Sequence, residues 1–255
     1  MKAVDNAGLP LQNMLMLSSD GPNVNKKVLR LVNEAVKVCR SGKSLIDIGT
    51  CNIHIMHNAF MKGLQAHGQI ISDVIITIYY FFDGWPTRNE QYETVQKQMG
   101  LPLHAFIKHV PSRWLTLLPV AERIIEQWST VTEYFLHVIP KKYSQLQTAS
   151  CYKEIQSMLV ERTTKATFLF VISFAELFTR VLAILQREEP LIHIMYSEIS
   201  QLLLTIVNCF MKAECVLAHK ITDGLLDDAS KYVTVDKIER GTVVRSNVSS
   251  ICITG

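Results

Sequence analysis

The sequence predicts a mainly helical fold with a small α/β part at its N-terminal end. From residue 69 to residue 220, long segments with apolar residues at helical spacing follow one another. Two short apolar runs typical of buried strands lie within the first 50 residues. With 255 residues, of which 48% are hydrophobic, the chain can bury a substantial core.

The small α/β part is predicted to run strand, helix, strand, helix. Residues 14–17 form the first apolar run and end in a polar turn. Pro22 suits the first turn of a helix, and Gly42 is typical of the end of one. The second strand is predicted over 44–49 and the second helix over 50–68.

The remainder is predicted to be a series of helices separated by Gly and Pro, which interrupt helical backbone. These helices are expected near 69–82, 87–98, 115–138, 149–161, 163–187 and 190–220.

Three regions follow from this pattern. Residues 1–55 form a partial α/β segment, residues 56–220 a large helical domain, and residues 221–255 a poorly ordered tail. Two strands are too few for a self-sufficient sheet, so further chain or a partner is expected beside them.

Composition narrows the function only weakly. The net charge of +3 does not by itself indicate nucleic acid, and six scattered cysteines are typical of a reducing, intracellular compartment. The segment 166–185 is long enough to span a membrane, but Glu176 and Arg180 within it favour a core helix with one wet edge, and no membrane partner is expected.

Asp20 lies where the first predicted strand meets the first helix. At such a position a carboxylate can hold a divalent metal, although phosphodiester chemistry requires two or three converging carboxylates. The alternative is an acid that stabilises the start of the helix through its dipole and free N–H groups.

Cys51, His54 and His57 lie at the start of the second helix, three residues apart. Cys51 and His54 therefore share a face, and parallel strands would place them beside the turn that carries Asp20. A zinc site is one interpretation, although no second ligand pair of matching spacing occurs; packed polar side chains are the other.

Residues 26–43 form the most basic window of the chain, which includes Lys26, Lys27 and Arg30. These basic side chains are either an ordinary solvent-exposed helix face or a phosphate-binding surface. In "FIKHVPSRW", Lys108, Arg113 and Trp114 combine cations with an aromatic ring that could stack on an unpaired base or fill the core.

Taken in order, four segments resemble a hAT-superfamily transposase over roughly residues 17–212. They are "LSSDGPNVNKKVLRLV", "LIDIGTCNIHIMHNAFMKGL", "GLPLHAFIKHVPSRWLTLLPVAERIIEQW" and "LQREEPLIHIMYSEISQLLLTIVNCFM". The resemblance implies a ribonuclease H-like fold interrupted by a large helical insertion, so residues 1–55 would be a truncated sheet remnant.

The resemblance also implies roles for particular residues. Asp20 would be the second acid of a metal-binding DDE triad, and Cys51 and His54 the C/D-x-x-H motif beside it. Arg113 and Trp114 would be the "RW" element that handles an unpaired base. The basic first helix and Lys108 would then face DNA.

The other two acids of such a triad are not found. Asp5 lies in no strand-like run, and Glu239, the only Glu after the helical region, lies in no helix-like pattern. One carboxylate cannot hold two cations, so we expect a nuclear, truncated or domesticated derivative without catalysis and with weak DNA binding.

Two alternatives remain open. One is a protein-interaction or structural module, which includes self-association or a non-functional transposon remnant. The other is a nuclease dependent on Mg²⁺ or Mn²⁺, if the missing acids are supplied elsewhere.

Overall fold

The computed structural model describes residues 8, 10–17, 19, 23–47, 51–67, 69–111, 116–218 and 223–234. Within these ranges the protein is mainly helical, as the sequence predicts, and contains no extended strand. Contacts divide the chain into an N-terminal unit, Met1–Lys62, and a C-terminal unit, Gly63–Gly255.

The N-terminal unit contains α1 (Asn23–Cys39) and the start of α2 (Asn52–His67), which crosses the boundary between the units. A short 3₁₀ turn, Leu11–Asn13, precedes α1. Helix α1 ends at Cys39, close to the predicted stop at Gly42. Ser41 adopts a left-handed φ of 51°, which turns the N–H of Gly42 back to the carbonyl of Lys37 at 2.8 Å.

The two predicted strands meet at a single parallel bridge instead of a ladder. Met16 and Ile46 form this bridge, and the N–H of Ile46 donates to the carbonyl of Leu15 at 2.9 Å. Two segments alone bury too little apolar surface to hold a regular sheet. The parallel direction agrees with the predicted order, while regular strands are not observed among the described residues.

The C-terminal unit is a helical bundle. Its principal helices are α3 (Gln69–Phe82), α4 (Pro86–Gln98), α5 (Leu117–Glu126), α8 (Ser150–Val160), α9 (Thr164–Leu185) and α10 (Ile192–Phe210). The helix predicted over 115–138 is interrupted. Its second part comprises α6 (Trp128–Glu133), a π segment (Tyr134–Val138) and α7 (Ile139–Lys142).

Helix α9 is the segment that is long and apolar enough to cross a membrane. In this bundle it packs against α5, α3, α8 and α10, and it buries Phe168, Val171, Ala175 and Leu182. These contacts are those of a core helix, and they agree with the sequence-based interpretation of this segment.

An aromatic cluster forms the centre of the bundle beside the α3–α4 turn. The rings of Phe81 and Phe135 lie 4.9 Å apart, and those of Phe82 and Phe106 stack at 5.0 Å. The remaining members are Tyr92 and Tyr134. Phe106 belongs to a segment without regular secondary structure, so the cluster fixes that segment to α3.

Residues 223–234, within the predicted tail, pack against the end of α10. After α11 (Ala213–Ala218) and α12 (Asp223–Leu226), Tyr232 forms an antiparallel bridge with Met211. The N–H of Val233 donates to the carbonyl of Phe210 at 2.8 Å. Residues 223–234 of the predicted tail therefore belong to the folded C-terminal unit.

Candidate functional site

The predicted metal-binding turn lies in the N-terminal unit. Asp20 itself is outside the described residues, but Ser19, which precedes it, is described. The carbonyl of Ser19 accepts a hydrogen bond of 3.2 Å from the backbone N–H of Cys51. The start of α2 is therefore in direct contact with Ser19, the residue before Asp20.

Two further hydrogen bonds connect side chains at α1 with the two predicted strand segments. One guanidinium nitrogen of Arg40, at the end of α1, donates to the carbonyl of Met14 at 3.1 Å. The side-chain oxygen of Asn33 accepts from the N–H of Leu45 at 2.7 Å. Through these two hydrogen bonds, α1 and the residue that follows it hold Met14 and Leu45, which belong to the two predicted strands.

Cys51 and His54 are both half-buried, on adjacent turns at the beginning of α2. In the part of the chain that the structure describes, no three His, Cys, Asp or Glu side chains converge as a metal site would require.

The basic residues of α1 are on its exposed surface. Lys26, Lys27 and Arg30 all project to solvent. One turn further along, Lys37 pairs with Glu34 at 2.8 Å, which offsets part of the positive charge. The positive charge that is available to bind phosphate therefore lies on the N-terminal half of α1.

The second predicted element, residues 101–111, lies in the C-terminal unit and has no regular secondary structure. Two fully buried amides hold it. The Nε2 of Gln96 donates to the carbonyl of His104 at 3.0 Å and to the Oε1 of Gln127 at 3.1 Å. The Nε2 of Gln127 donates to the carbonyl of Pro102 at 3.4 Å.

A charged group on α5 adds to this support. Arg123 donates to the carbonyl of Ala105 at 3.2 Å and pairs with Glu126 at 3.1 Å. The same carboxylate lies 3.1 Å from the Nδ1 of His104. The path of the segment is thus fixed from both α4 and α5, up to the residues that precede Arg113.

Lys108 does not extend freely into solvent. Its ammonium lies 5.8 Å from the ring centre of Tyr79 and 5.6 Å from that of Tyr80. Arg113 and Trp114 are outside the described residues, so the structure places Lys108 alone of this predicted group.

His109 follows Lys108 and is 6% exposed. Its Nδ1 lies 3.0 Å from the hydroxyl of Thr116, and that hydroxyl donates to the carbonyl of Val110 at 3.1 Å. The backbone N–H of Val110 also donates to this hydroxyl, at 3.3 Å. The Nε2 of His109 is buried without a hydrogen-bond partner among the described residues, and burial lowers the pKa of His109.

One aromatic and cationic cluster at the α3–α4 turn was not predicted from the sequence. Trp85 and Tyr80 are 54% and 52% exposed. The guanidinium of Arg88 lies 4.2 Å from the ring centre of Trp85 and 4.5 Å from that of Phe81, and it donates to the carbonyl of Phe81 at 2.7 Å. The signal was present in "YYFFDGWPTR", where aromatic residues and an arginine surround a turn.

Comparisons with protein-family models, with curated proteins and with solved structures found no match to this chain.

Proposed function

We propose that this chain derives from a hAT-superfamily transposase, that it contacts DNA in the nucleus, and that it does not itself cut DNA. The observation that carries the proposal is the hydrogen bond between Cys51 and Ser19. It supports the expected proximity of the Cys51–His54 motif to the turn with Asp20. The parallel bridge between Met16 and Ile46 is compatible with a remnant of a ribonuclease H-like sheet.

The absence of catalysis follows from the chemistry of phosphoryl transfer. Two cations must be held in line with the scissile bond, and each requires several oxygen ligands. Asp20 would supply one carboxylate. Mg²⁺ or Mn²⁺ would be relevant only if further acids were supplied by another chain.

A cleavage assay tests this part of the proposal. Purified protein is incubated with Mn²⁺ or Mg²⁺ and a nicked or hairpin DNA, beside the Asp20→Ala variant. We expect no metal-dependent product from either protein. Cleavage by the unsubstituted chain that disappears in Asp20→Ala would identify an active nuclease.

DNA contact is proposed for the exposed cations of α1, together with the Arg113–Trp114 element. Lys26, Lys27 and Arg30 offer three positive charges on a helix surface, a geometry that suits phosphate. Such binding releases counterions, so its affinity should fall as salt rises.

A gel-shift titration with a matched control tests the role of α1. Replacing Lys26, Lys27 and Arg30 by Gln should weaken binding and flatten its salt dependence. The control replaces three exposed lysines of the C-terminal unit by Gln, namely Lys141, Lys142 and Lys153. Equal loss in both triple variants would indicate non-specific charge attraction and contradict the assignment.

The Trp114→Ala variant tests the base-handling role. Its affinity for single-stranded or gapped DNA should fall by roughly tenfold, because stacking contributes about 1–3 kcal/mol per base. Affinity for intact duplex should change little. A parallel loss on both substrates would count against stacking.

A protein-interaction module is the second candidate. The observation that favours it is the exposure of Leu15 and Ile46, which are 52% and 57% exposed beside the single bridge. Apolar side chains at an incomplete sheet are typical of surfaces that bind another chain. Light scattering during size exclusion would contradict this candidate if the chain were monomeric at every concentration.

A further inference from the structure

Helix α1 carries a narrow apolar stripe that its own unit leaves in solvent. Val24, Val28, Leu31 and Val38 are 72%, 47%, 56% and 84% exposed, and Ala35 lies among them half-buried. The spacings between successive members are four, three, four and three residues. This is the a and d pattern of a coiled-coil seam, narrower than the stripe of a helix packed on a globular core.

The stripe is separate from the side of α1 that packs internally. Val36 is fully buried, Leu29 and Val32 are half-buried, and Asn33 binds the backbone of Leu45 from the same side. At 3.6 residues per turn, this packed side is centred roughly 130° around the helix from the exposed stripe. The helix therefore has a second apolar surface that its internal packing does not use.

Two opposite charges border the stripe. With Val28 and Leu31 as a and d positions, Lys27 and Glu34 both occupy g positions next to the seam. Both side chains are exposed. One carboxylate oxygen of Glu34 binds Lys37 at 2.8 Å, and the Glu34 side chain remains 62% exposed and accessible to another cation.

We infer that this stripe, defined by Val24, Val28, Leu31, Ala35 and Val38, is the surface through which two copies of the chain associate as an antiparallel helix pair. In that arrangement Val28 opposes Leu31 of the second copy, and Val24 opposes Ala35. The contact is isologous, so each layer occurs twice around a two-fold axis.

Charge complementarity selects the antiparallel orientation and the second copy as occupant. Antiparallel helices bring g positions side by side, so Lys27 of each copy lies next to Glu34 of the other. In a parallel pair, g faces e, and Lys27 would lie beside Val32 and Glu34 beside Cys39, with no opposite charges. In the antiparallel pair, each copy therefore contributes one lysine and one glutamate, and two ion pairs form between the copies.

The expected association is reversible. The seam from Val24 to Val38 spans about 21 Å, which is short for a helix pair, so we expect an interface at the small end of the range for specific dimers. Lys26 and Arg30 lie away from the stripe, beyond Lys27, and remain exposed in the pair. Lys27 belongs both to this pair and to the proposed DNA-binding surface, so Leu31→Asp, which leaves all three cations in place, separates the test of association from the test of DNA binding.

Sedimentation equilibrium of the full chain over a wide concentration range tests the inference. We expect a monomer–dimer equilibrium that Leu31→Asp abolishes, with unchanged helix content by circular dichroism. Leu31 is exposed, so this change should not affect internal packing. A monomer at every concentration, or a dimer unaffected by Leu31→Asp, would overturn the inference.

Charge exchange tests the orientation. Lys27→Glu or Glu34→Lys alone should weaken the dimer by on the order of tenfold, because two attractive pairs become repulsive. The double variant Lys27→Glu/Glu34→Lys should restore it. Lys26→Glu, with the same charge change away from the seam, is the control and should have little effect. Failure of the double variant to restore association would overturn the antiparallel pairing.

Discussion

The backbone N–H of Cys51 donates a hydrogen bond of 3.2 Å to the carbonyl oxygen of Ser19, which joins the start of α2 to the turn before α1. The two residues are far apart in sequence, and the contact lies beyond the single bridge between Met16 and Ile46. It extends the parallel arrangement by one more bond toward the candidate site.

Replacing Cys51 by Pro should loosen this contact, since proline has no N–H to donate. We expect the N-terminal unit to lose about 1 kcal/mol of unfolding free energy relative to Cys51→Ala, which keeps the bond. Urea unfolding followed by circular dichroism measures the difference. Equal stability of the two variants would mean that this bond contributes nothing.

Gln127→Ala should destabilise the C-terminal unit by about 1–3 kcal/mol, because the buried amide of Gln96 loses its side-chain acceptor and the carbonyl of Pro102 its donor. Gln98→Ala, at an exposed position on α4, should change stability by less than about 0.5 kcal/mol. Thermal and urea unfolding of both variants give the comparison. A loss as large for Gln98→Ala would contradict the role of the buried pair.

His109 should make the stability of the C-terminal unit depend on pH. Burial lowers its pKa from the ordinary value of 6.5, so the unfolded chain takes up a proton before the folded chain does. Stability should therefore fall as pH decreases below 6.5, until the lowered folded pKa is passed.

The variant His109→Asn isolates this effect, because its side-chain NH₂ can still donate to Thr116 but does not titrate. Above pH 6.5, the difference in unfolding free energy between the two proteins should be constant. Below pH 6.5, the unsubstituted protein should lose stability relative to the His109→Asn variant. A difference independent of pH would show that His109 does not titrate between the two states as expected.

Tyr92→Phe should leave stability unchanged or raise it by about 1 kcal/mol. The hydroxyl of Tyr92 is buried without a hydrogen-bond partner, so its removal relieves a desolvation cost. Burial, with Tyr134 nearby, raises the pKa of Tyr92.

Tyr134→Phe is the matched change and should lower stability, because its hydroxyl donates to the Oε1 of Gln91 at 3.1 Å. Chemical denaturation of both variants measures the contrast. A larger loss for Tyr92→Phe than for Tyr134→Phe would contradict this assignment of hydrogen bonds.

Local features were readable from the sequence. The helices predicted near 69–82 and 87–98 correspond to α3 and α4, and the turn between them contains Gly84 with a φ of 73°. Helix α1 ends at Cys39, three residues before the predicted stop at Gly42. Such boundaries depend on the backbone preferences of a few neighbouring residues, which the sequence states directly.

Other predictions concern the roles of candidate site residues, which the cleavage and DNA-binding assays test. The roles assigned to Asp20, Arg113 and Trp114 remain predictions, because these residues lie outside the described ranges. For Lys108, the sequence predicted a cation beside an aromatic ring, but the rings it lies over are those of Tyr79 and Tyr80, far from it in the chain.

The sequence by itself determined where most helices begin and end, since periodicity, proline and glycine act within a few residues. It did not reveal the interruption of the helix predicted over 115–138 or the end of the helix predicted over 190–220 at Phe210. Only the tertiary structure decided which apolar side of α1 is packed, and that Gln96 meets Gln127 beneath the 101–111 segment. Those choices depend on contacts between residues distant in the chain. When a helix such as α1 has two apolar surfaces, its local sequence does not indicate which of the two will be buried in its own fold.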